Sequence, residues 1–228
     1  MKTVDQSIIA TLAEYDSATV QNAGILVRGY IPADYDYTDA RVHEYVSPGA
    51  KPAVGYALTS TWTPLSGEQS DGYVSRDYFD SIANANVPVI VVQQDIDNPL
   101  GRGAIIGDGM AFQMAALGAV GALVEGNARD IPGIQQAGLP LWATGRVPGH
   151  GPFNMIEHEV SVTVASLNIN PGDILVCDAD GATRVTVDEA ADVAKMCAEV
   201  RAKEGVLHKF FSVPDFTPAM WEEWQSKG

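Results

Sequence analysis

Two short stretches of this chain hold residues that could do chemistry together. The first is Gly107-Asp108-Gly109-Met110, a glycine-rich loop opening a helical pattern. The second is Glu125-Gly126-Asn127-Ala128-Arg129-Asp130, where a buried apolar run ends in an arginine–aspartate pair. A helix start offers unpaired N–H groups and the positive end of the helix dipole, which suit a small anion. Glycines let such a ligand approach the backbone closely. A guanidinium pairs with carboxylates, and an aspartate can hold a divalent cation that keeps several waters. Together these parts can surround one small anion and a metal ion. Each part also has a plainer reading: an ordinary turn with Asp108 as a helix cap, and a surface ion pair worth about 0–1 kcal/mol. Their joint placement near the carboxyl ends of strands favours a ligand site.

The elements that must position these residues form one unit. The β-branched run 87–92 predicts a strand covered on both faces. A loop over 95–107 follows, then a helix over 110–117 with Met110, Met114 and Leu117 on one side. Gly118 is its stop, and a strand follows at 122–124. This β-loop-α-β order predicts two parallel strands. Elsewhere, Ile8, Leu12 and Tyr15 predict a helix over 7–20. Residues 30–52, including Tyr35-Asp36-Tyr37, read as loop with short extended pieces. A strand over 53–63 ends at Pro64, a polar loop covers 66–72, and a helix covers 73–85. Further strands are expected at 139–143, 160–167, 174–177 and 183–186, with turns at Pro171-Gly172-Asp173 and Asp180-Gly181. Thr186-x-x-Glu189 reads as a capping box for a long helix carrying Val193, Met196, Cys197 and Val200 on one stripe. The tail 208–228 holds Phe210, Phe211, Phe216, Trp221 and Trp224. So many aromatics predict docking on the body or on a neighbouring subunit. The expectation is one α/β domain over 1–228, with a mixed sheet, flanking helices and an aromatic C-terminal tail. Helix at both ends argues against a (βα)₈ barrel.

Composition narrows the partners. The chain has 228 residues, 46% of them hydrophobic, and a net charge of -15. That surface repels nucleic acid and anionic membranes, so neither is expected as a partner. An acidic substrate needs a local positive site, which raises interest in each pocket arginine. The N-terminus lacks the apolar core of a signal peptide, and the uncharged run 109–124 is too short and glycine-broken to span a membrane. A soluble, cytoplasmic protein is expected. Cys177 and Cys197 have no zinc-type spacing and read as reduced, buried thiols.

Several chemistries drop out. Gly101-Arg102-Gly103 and Gly107-Asp108-Gly109 each offer G-x-G, with Glu125 where a ribose-binding acid would sit. Neither completes G-x-G-x-x-G, because position 106 is Ile and position 112 is Phe. No lysine lies between Lys51 and Lys195, so the central strands carry no Schiff-base lysine. The histidines form no HExxH, and Glu157-His158-Glu159 reads as a solvated turn before a metal clip. Asp178-x-Asp180-Gly181 lacks the remaining ligands of an EF-hand, and no G-x-S-x-G elbow occurs.

Taken in order, Gly107-Asp108, Leu117-Gly118-x-x-Gly121, Glu125-Gly126-x-x-Arg129-Asp130 and Leu139-Pro140-Leu141-Trp142-Ala143-x-Gly145 resemble the regulator of ribonuclease activity A-like (RraA-like) family. Asn170-Pro171-Gly172-Asp173 with Asp178-Ala179-Asp180-Gly181 matches its C-terminal signature. The resemblance covers nearly the whole chain, most firmly 87–186. The family includes metal-dependent 4-hydroxy-4-methyl-2-oxoglutarate/4-carboxy-4-hydroxy-2-oxoadipate aldolases. The resemblance implies a swivelling β/β/α fold in homotrimers or homohexamers. It implies pyruvate binding through backbone amides at Gly107, Asp108, Gly109 and Met110, substrate contact at Arg129, and Mg²⁺ or Mn²⁺ at Asp130. Asp108 would act on water at the metal. A neighbouring subunit would donate an acid, with Glu204 the candidate and Glu199 the second. The implied function is retro-aldol cleavage of a 4-hydroxy-2-oxo acid to pyruvate, with oxaloacetate decarboxylation as a possible side activity. The alternatives are a non-enzymatic protein-binding regulator of a ribonuclease, or another acid-metabolite lyase. Gly109, where the family carries a hydrophobic residue, and Ala182-Thr183-Arg184 depart from the pattern.

Overall fold

The computed structural model describes residues 2–32, 36–64 and 72–226, the side chains of 72–75 excepted. In chain order the elements begin with α1 (Gln6–Leu12), α2 (Ser17–Arg28), β1 (His43–Val46), β2 (Ala53–Thr63), α3 (Gly72–Ala83) and β3 (Val89–Asp95). There follow β4 (Ala104–Ile106), α4 (Asp108–Ala116), β5 (Ala119–Ala128), α5 (Ile131–Ala137), β6 (Leu141–Arg146) and β7 (Asn154–His158). The chain closes with β8 (Val162–Val164), β9 (Leu167–Ile169), β10 (Ile174–Asp178), β11 (Gly181–Val185), α6 (Ala190–Phe211) and α7 (Pro218–Ser226).

The sheet runs β1-β6-β5-β3-β2-β10-β11, with β4 paired to β5 and β7 paired to β2. Strands β2, β3, β5 and β6 are parallel to one another, while β1 pairs antiparallel with β6, β10 with β2 and β11 with β10. This is the expected mixed α/β sheet with flanking helices. The side-chain period of two divides its core. Val89, Val91, Ala122, Val124 and Leu141 face the cluster that also holds Met114 and Ile134 from α4 and α5. Ile90, Val92, Leu123 and Trp142 face the opposite cluster, closed by Val162, Val164 and Leu167 of the β8–β9 hairpin. Val54, Tyr56, Ile174 and Val176 meet α1, α2 and α6 in a third cluster through Leu12, Val20, Val193 and Cys197. Residues Val89 to Val92 are all fully buried, which explains why that run shows no polar alternation.

Several elements differ from expectation. The helix over 7–20 is two helices. Asp16 is extended, and its Oδ1 accepts the Thr19 N–H at 2.7 Å, capping α2. The apolar spacing runs across this break and conceals it. The loop over 95–107 contains β4, and the strand at 122–124 begins at Ala119 and runs to Ala128. The strand over 160–167 is the start of a hairpin, because Ala165 and Ser166 both take positive φ (42° and 68°). Their types carry none of the Asn-Gly signal such a turn usually shows. β1 is one of the short extended pieces expected within 30–52, β7 and α5 are additional, and Glu157 and His158 lie on β7. The helix after Thr186 starts at Ala190, yet Glu189 still accepts the Thr186 N–H at 3.1 Å. Tyr35 and most of the polar loop 66–72 lie outside the described residues.

The aromatic tail packs on itself. Phe210, Phe211, Phe216, Trp221 and Trp224 stack around the α6–α7 junction with ring centroids 5.0–6.2 Å apart. Among the described residues no helix is long and apolar enough to cross a membrane.

Candidate anion and metal site

The pairing of β4 with β5 builds the site. Ala104 lies opposite Asn127 and Ile106 opposite Ala128, in parallel, and the Arg129 N–H donates to the Ile106 carbonyl at 3.0 Å. Both strands therefore end at the same edge. The chain leaves β4 through Gly107 into α4, and leaves β5 through Arg129-Asp130 into α5. The two sequence motifs meet there, as their order predicts, although β4 itself was read as loop. A β-carbon at Gly107 would stand 3.0 Å from Asp130 Oδ2 and 3.2 Å from Arg129 Nε. Its φ of -133° suits any residue, so what glycine provides here is closeness rather than conformation.

Each side chain has a defined setting. Asp108 opens α4, and its Oδ1 accepts the N–H of Gly109 at 2.7 Å. It does not serve as the N-cap, which is Gly107. Asp130 sits in the left-handed region (φ 56°, ψ 37°) as the residue before α5. That conformation costs a non-glycine residue about 1–2 kcal/mol and aspartate tolerates it better than most. Its carbonyl accepts the N–H groups of Gly133 and Ile134 at 2.8 and 3.0 Å, while its carboxylate makes no cap and stays 41% exposed. Asp130 Oδ2 lies 3.2 Å from Arg129 Nε, a nitrogen that is buried without a well-formed hydrogen bond. Arg129 Cζ lies 5.7 Å from the Phe153 ring centroid. A β-carbon at Gly133 would stand 2.7 Å from Asp108 Oδ2, so Asp108 leans over the start of α5. Two carboxylates and one guanidinium thus share one edge.

Asp108 and Arg129, with Gly107 and Gly109, line a cleft of about 370 Å³ whose other walls are Trp62, Phe79, Met110, Gln113 and Phe153, and Asp130 lies behind Gly107 and Arg129 outside that lining. Trp62 stands at the carboxyl end of β2, the same edge as the parallel strands, which a sequence reading could have used. Phe79 lies on α3, and nothing local marks Phe153. The loop before β4 is tied down by Asn127 Nδ2, which donates to the Gly101 carbonyl at 2.6 Å. Asp95 accepts the N–H groups of Asp97 and Gly101 at 2.8 and 3.0 Å. Burial raises the Asp95 carboxyl above the usual carboxylate range.

The donors suit a hard divalent cation. Asp130 is partly exposed and makes no cap, and Asp108 shares its edge. Magnesium needs only one or two protein carboxylates and keeps its remaining waters. Among the described residues no group of three or more His, Cys, Asp or Glu side chains could hold a metal ion. Glu204 is not brought to this cleft within the chain. It lies on α6, beside Ile25 and Leu26 in a separate groove, and Glu199 is exposed on the same helix.

Other candidate groups have structural partners. Glu125 accepts the Ala165 N–H and pairs with Arg41 at 3.3 Å. Asp178 accepts the Ser17 N–H at 2.6 Å and the Asp180 N–H at 3.0 Å, tying α2 to the β10–β11 turn. Both cysteines are free and buried, and burial raises Cys197 to about 11.

A model of the RraA-like family, described as Aldolase/RraA, matches residues 32–184. The chain belongs to the RraA-like family. The family covers both RraA regulators and aldolases, including metal-dependent members. Protein DlpA of Legionella pneumophila is 24% identical over 161 residues, which covers 70% of this chain and 25% of DlpA. The chain thus spans about a quarter of that relative's length. A solved structure of an uncharacterized protein from Pseudomonas syringae pv. tomato shares 22% identity at a TM-score of 0.72, covering 93% of this chain and 95% of that one. Streptomyces coelicolor RraAS2, described as an unusual member of the RNase ES inhibitor RraA protein family, shares 21% identity at a TM-score of 0.73, covering 91% and 98%. These two structures establish the fold of this RraA-like chain.

Proposed function

We propose that this RraA-like chain is a divalent-metal-dependent pyruvate aldolase, a carbon–carbon lyase that cleaves a 4-hydroxy-2-oxo acid to pyruvate. The observation that carries this reading is the meeting of the α4 start, Arg129 and Asp130 at one sheet edge, beside a cleft lined by the first two. Backbone N–H groups of the first α4 turn receive the substrate carboxylate with the help of the helix dipole: that of Met110, and that of Gly109 once Asp108 Oδ1 releases it. As the C3–C4 bond breaks, its electron pair enters the pyruvate enolate. Arg129 stabilises the oxygen that becomes negative. The proton of the C4 hydroxyl leaves as the aldehyde or ketone forms, and a proton returns to C3. Asp108 holds the water that exchanges these protons. Asp130, with Asp108 beside it, would hold Mg²⁺ or Mn²⁺, which when bound supplies Lewis-acid polarisation of the 2-oxo group. Oxaloacetate decarboxylation passes through the same enolate.

The same reading includes a homotrimer or homohexamer in which Glu204 comes from a neighbouring subunit. A pyruvate-release assay over a panel of 4-hydroxy-2-oxo acids and oxaloacetate tests it. Turnover that depends on added Mg²⁺ or Mn²⁺ is expected, and its absence across the panel contradicts the reading. A second reading, a protein-binding regulator of a ribonuclease, is favoured by the net charge of -15, which could mimic nucleic acid. Tight ribonuclease binding without any turnover would select it.

A further inference from the structure

The cleft around Arg129 is poor in positive charge and rich in rings. Its walls away from Asp108 are Trp62, Phe79, Met110 and Phe153, with Gln113 at the rim. Arg129 is the one cation among the described lining residues. Three basic groups on neighbouring segments are not among the lining residues. His150 stacks on Phe153 (centroids 5.1 Å apart), with Nδ1 2.9 Å from the Gly151 carbonyl oxygen. Arg146 lies over the Tyr45 ring, and Arg76 is exposed on α3.

Resting on the aldolase reading, we infer that this site selects 4-hydroxy-2-oxo acids whose C4 substituent is uncharged and apolar, alkyl or aryl, over those bearing a second carboxylate there. The reacting end of the substrate uses Arg129 and the α4 amides. A second carboxylate would then meet aromatic rings and Asp108, with no further cation among the described lining residues to replace its lost hydration. An alkyl or aryl group loses no charge solvation, and it covers Trp62, Phe79 and Phe153. The reaction is balanced within the substrate: R–CH(OH)–CH₂–CO–COO⁻ gives R–CHO and pyruvate. The C4 hydroxyl proton leaves, and one proton returns to C3.

The test compares kcat/KM for pyruvate release from 4-hydroxy-2-oxo-4-phenylbutanoate and 4-hydroxy-2-oxopentanoate with that from 4-hydroxy-2-oxoglutarate, each with Mg²⁺. Deuterium exchange at C3 of pyruvate in D₂O runs alongside, because it reports enolisation with no distal group present. The expected result is a preference of roughly tenfold or more for the apolar substrates. Phe153→Arg should shrink or reverse it, read as the ratio of the two kcat/KM values within the variant. Calorimetry on the unaltered protein should show 2-oxo-4-phenylbutanoate binding more tightly than 2-oxoglutarate. C3 exchange with a preference for 4-hydroxy-2-oxoglutarate overturns the selectivity and leaves the aldolase reading standing. Absence of both exchange and cleavage overturns both.

Discussion

Gly107 is the residue on which the geometry turns. Its missing side chain lets α4 start against Asp130 and Arg129, and a methyl group there would press on both. Gly107→Ala should therefore keep the fold, because its φ of -133° suits alanine, and lose about tenfold in kcat/KM as Asp130 and Arg129 give way by a few tenths of an ångström. Activity within twofold of the parent, measured on folded protein, would show that the close approach does not matter. Gly107, Arg129 and Asp130 were legible in the sequence because glycine before a helix and a charged pair after a strand each carry local chemistry. Phe79 and Phe153 were not. Their places in the cleft depend on chain segments far apart in sequence, and an aromatic residue in a loop or on a helix reads as packing. The left-handed Asp130 was also hidden, since its φ follows from how β5 joins α5.

At the scale of elements, the decisive strand was the one too short to see. β4 is three residues, Ala104-Ile105-Ile106, and its apolar content matches a loop tucked under a helix as well as a strand. Only its pairing with Asn127 and Ala128 makes it one. The parallel β3–β5 pair, by contrast, followed from a β-branched run, a helix and a second apolar run in order. The β8–β9 hairpin was obscured by Ala165-Ser166, whose turn is held from outside. Ser166 Oγ donates to Asp39 Oδ2 at 2.6 Å, and Arg41 bonds Asp39 and reaches Glu125 on β5. The Arg41 hydrogen bonds, with that from Ser166, hold the Asp39 carboxyl down to about 2. A carboxyl depressed on folding contributes stability above its unfolded value, near 3.9, and loses it as pH falls toward about 2. Arg41→Ala should raise the Asp39 value toward 3.9 and shift that loss to higher pH. An NMR titration of the Asp39 carboxyl checks it, and an unmoved midpoint would remove Arg41 as the cause.

Across the whole molecule, three apolar clusters share one sheet, and the site lies at the edge of only one of them. Trp142 anchors the opposite face: it is fully buried and its Nε1 donates to the Asp178 carbonyl at 2.7 Å. Trp142→Ala should cost about 3–5 kcal/mol in a urea titration, with metal dependence of any remaining activity unchanged. A cost under about 1 kcal/mol would mean that the hairpin layer does not close this core. The aromatic tail shows the limit of composition: its rings were expected to dock on the body or a neighbour, and within the chain they pack on one another at the α6–α7 junction. The central claim joins both scales, since the fold exists at this edge to set Asp130 beside Arg129 and the start of α4. Its most direct test is pyruvate release by the parent and by Asp130→Asn, which keeps the shape and tolerance for positive φ, each with Mg²⁺ or Mn²⁺ and with EDTA. The account predicts metal-dependent release by the parent, abolished by EDTA and by Asp130→Asn in a protein that folds normally. Release undiminished by either would contradict it.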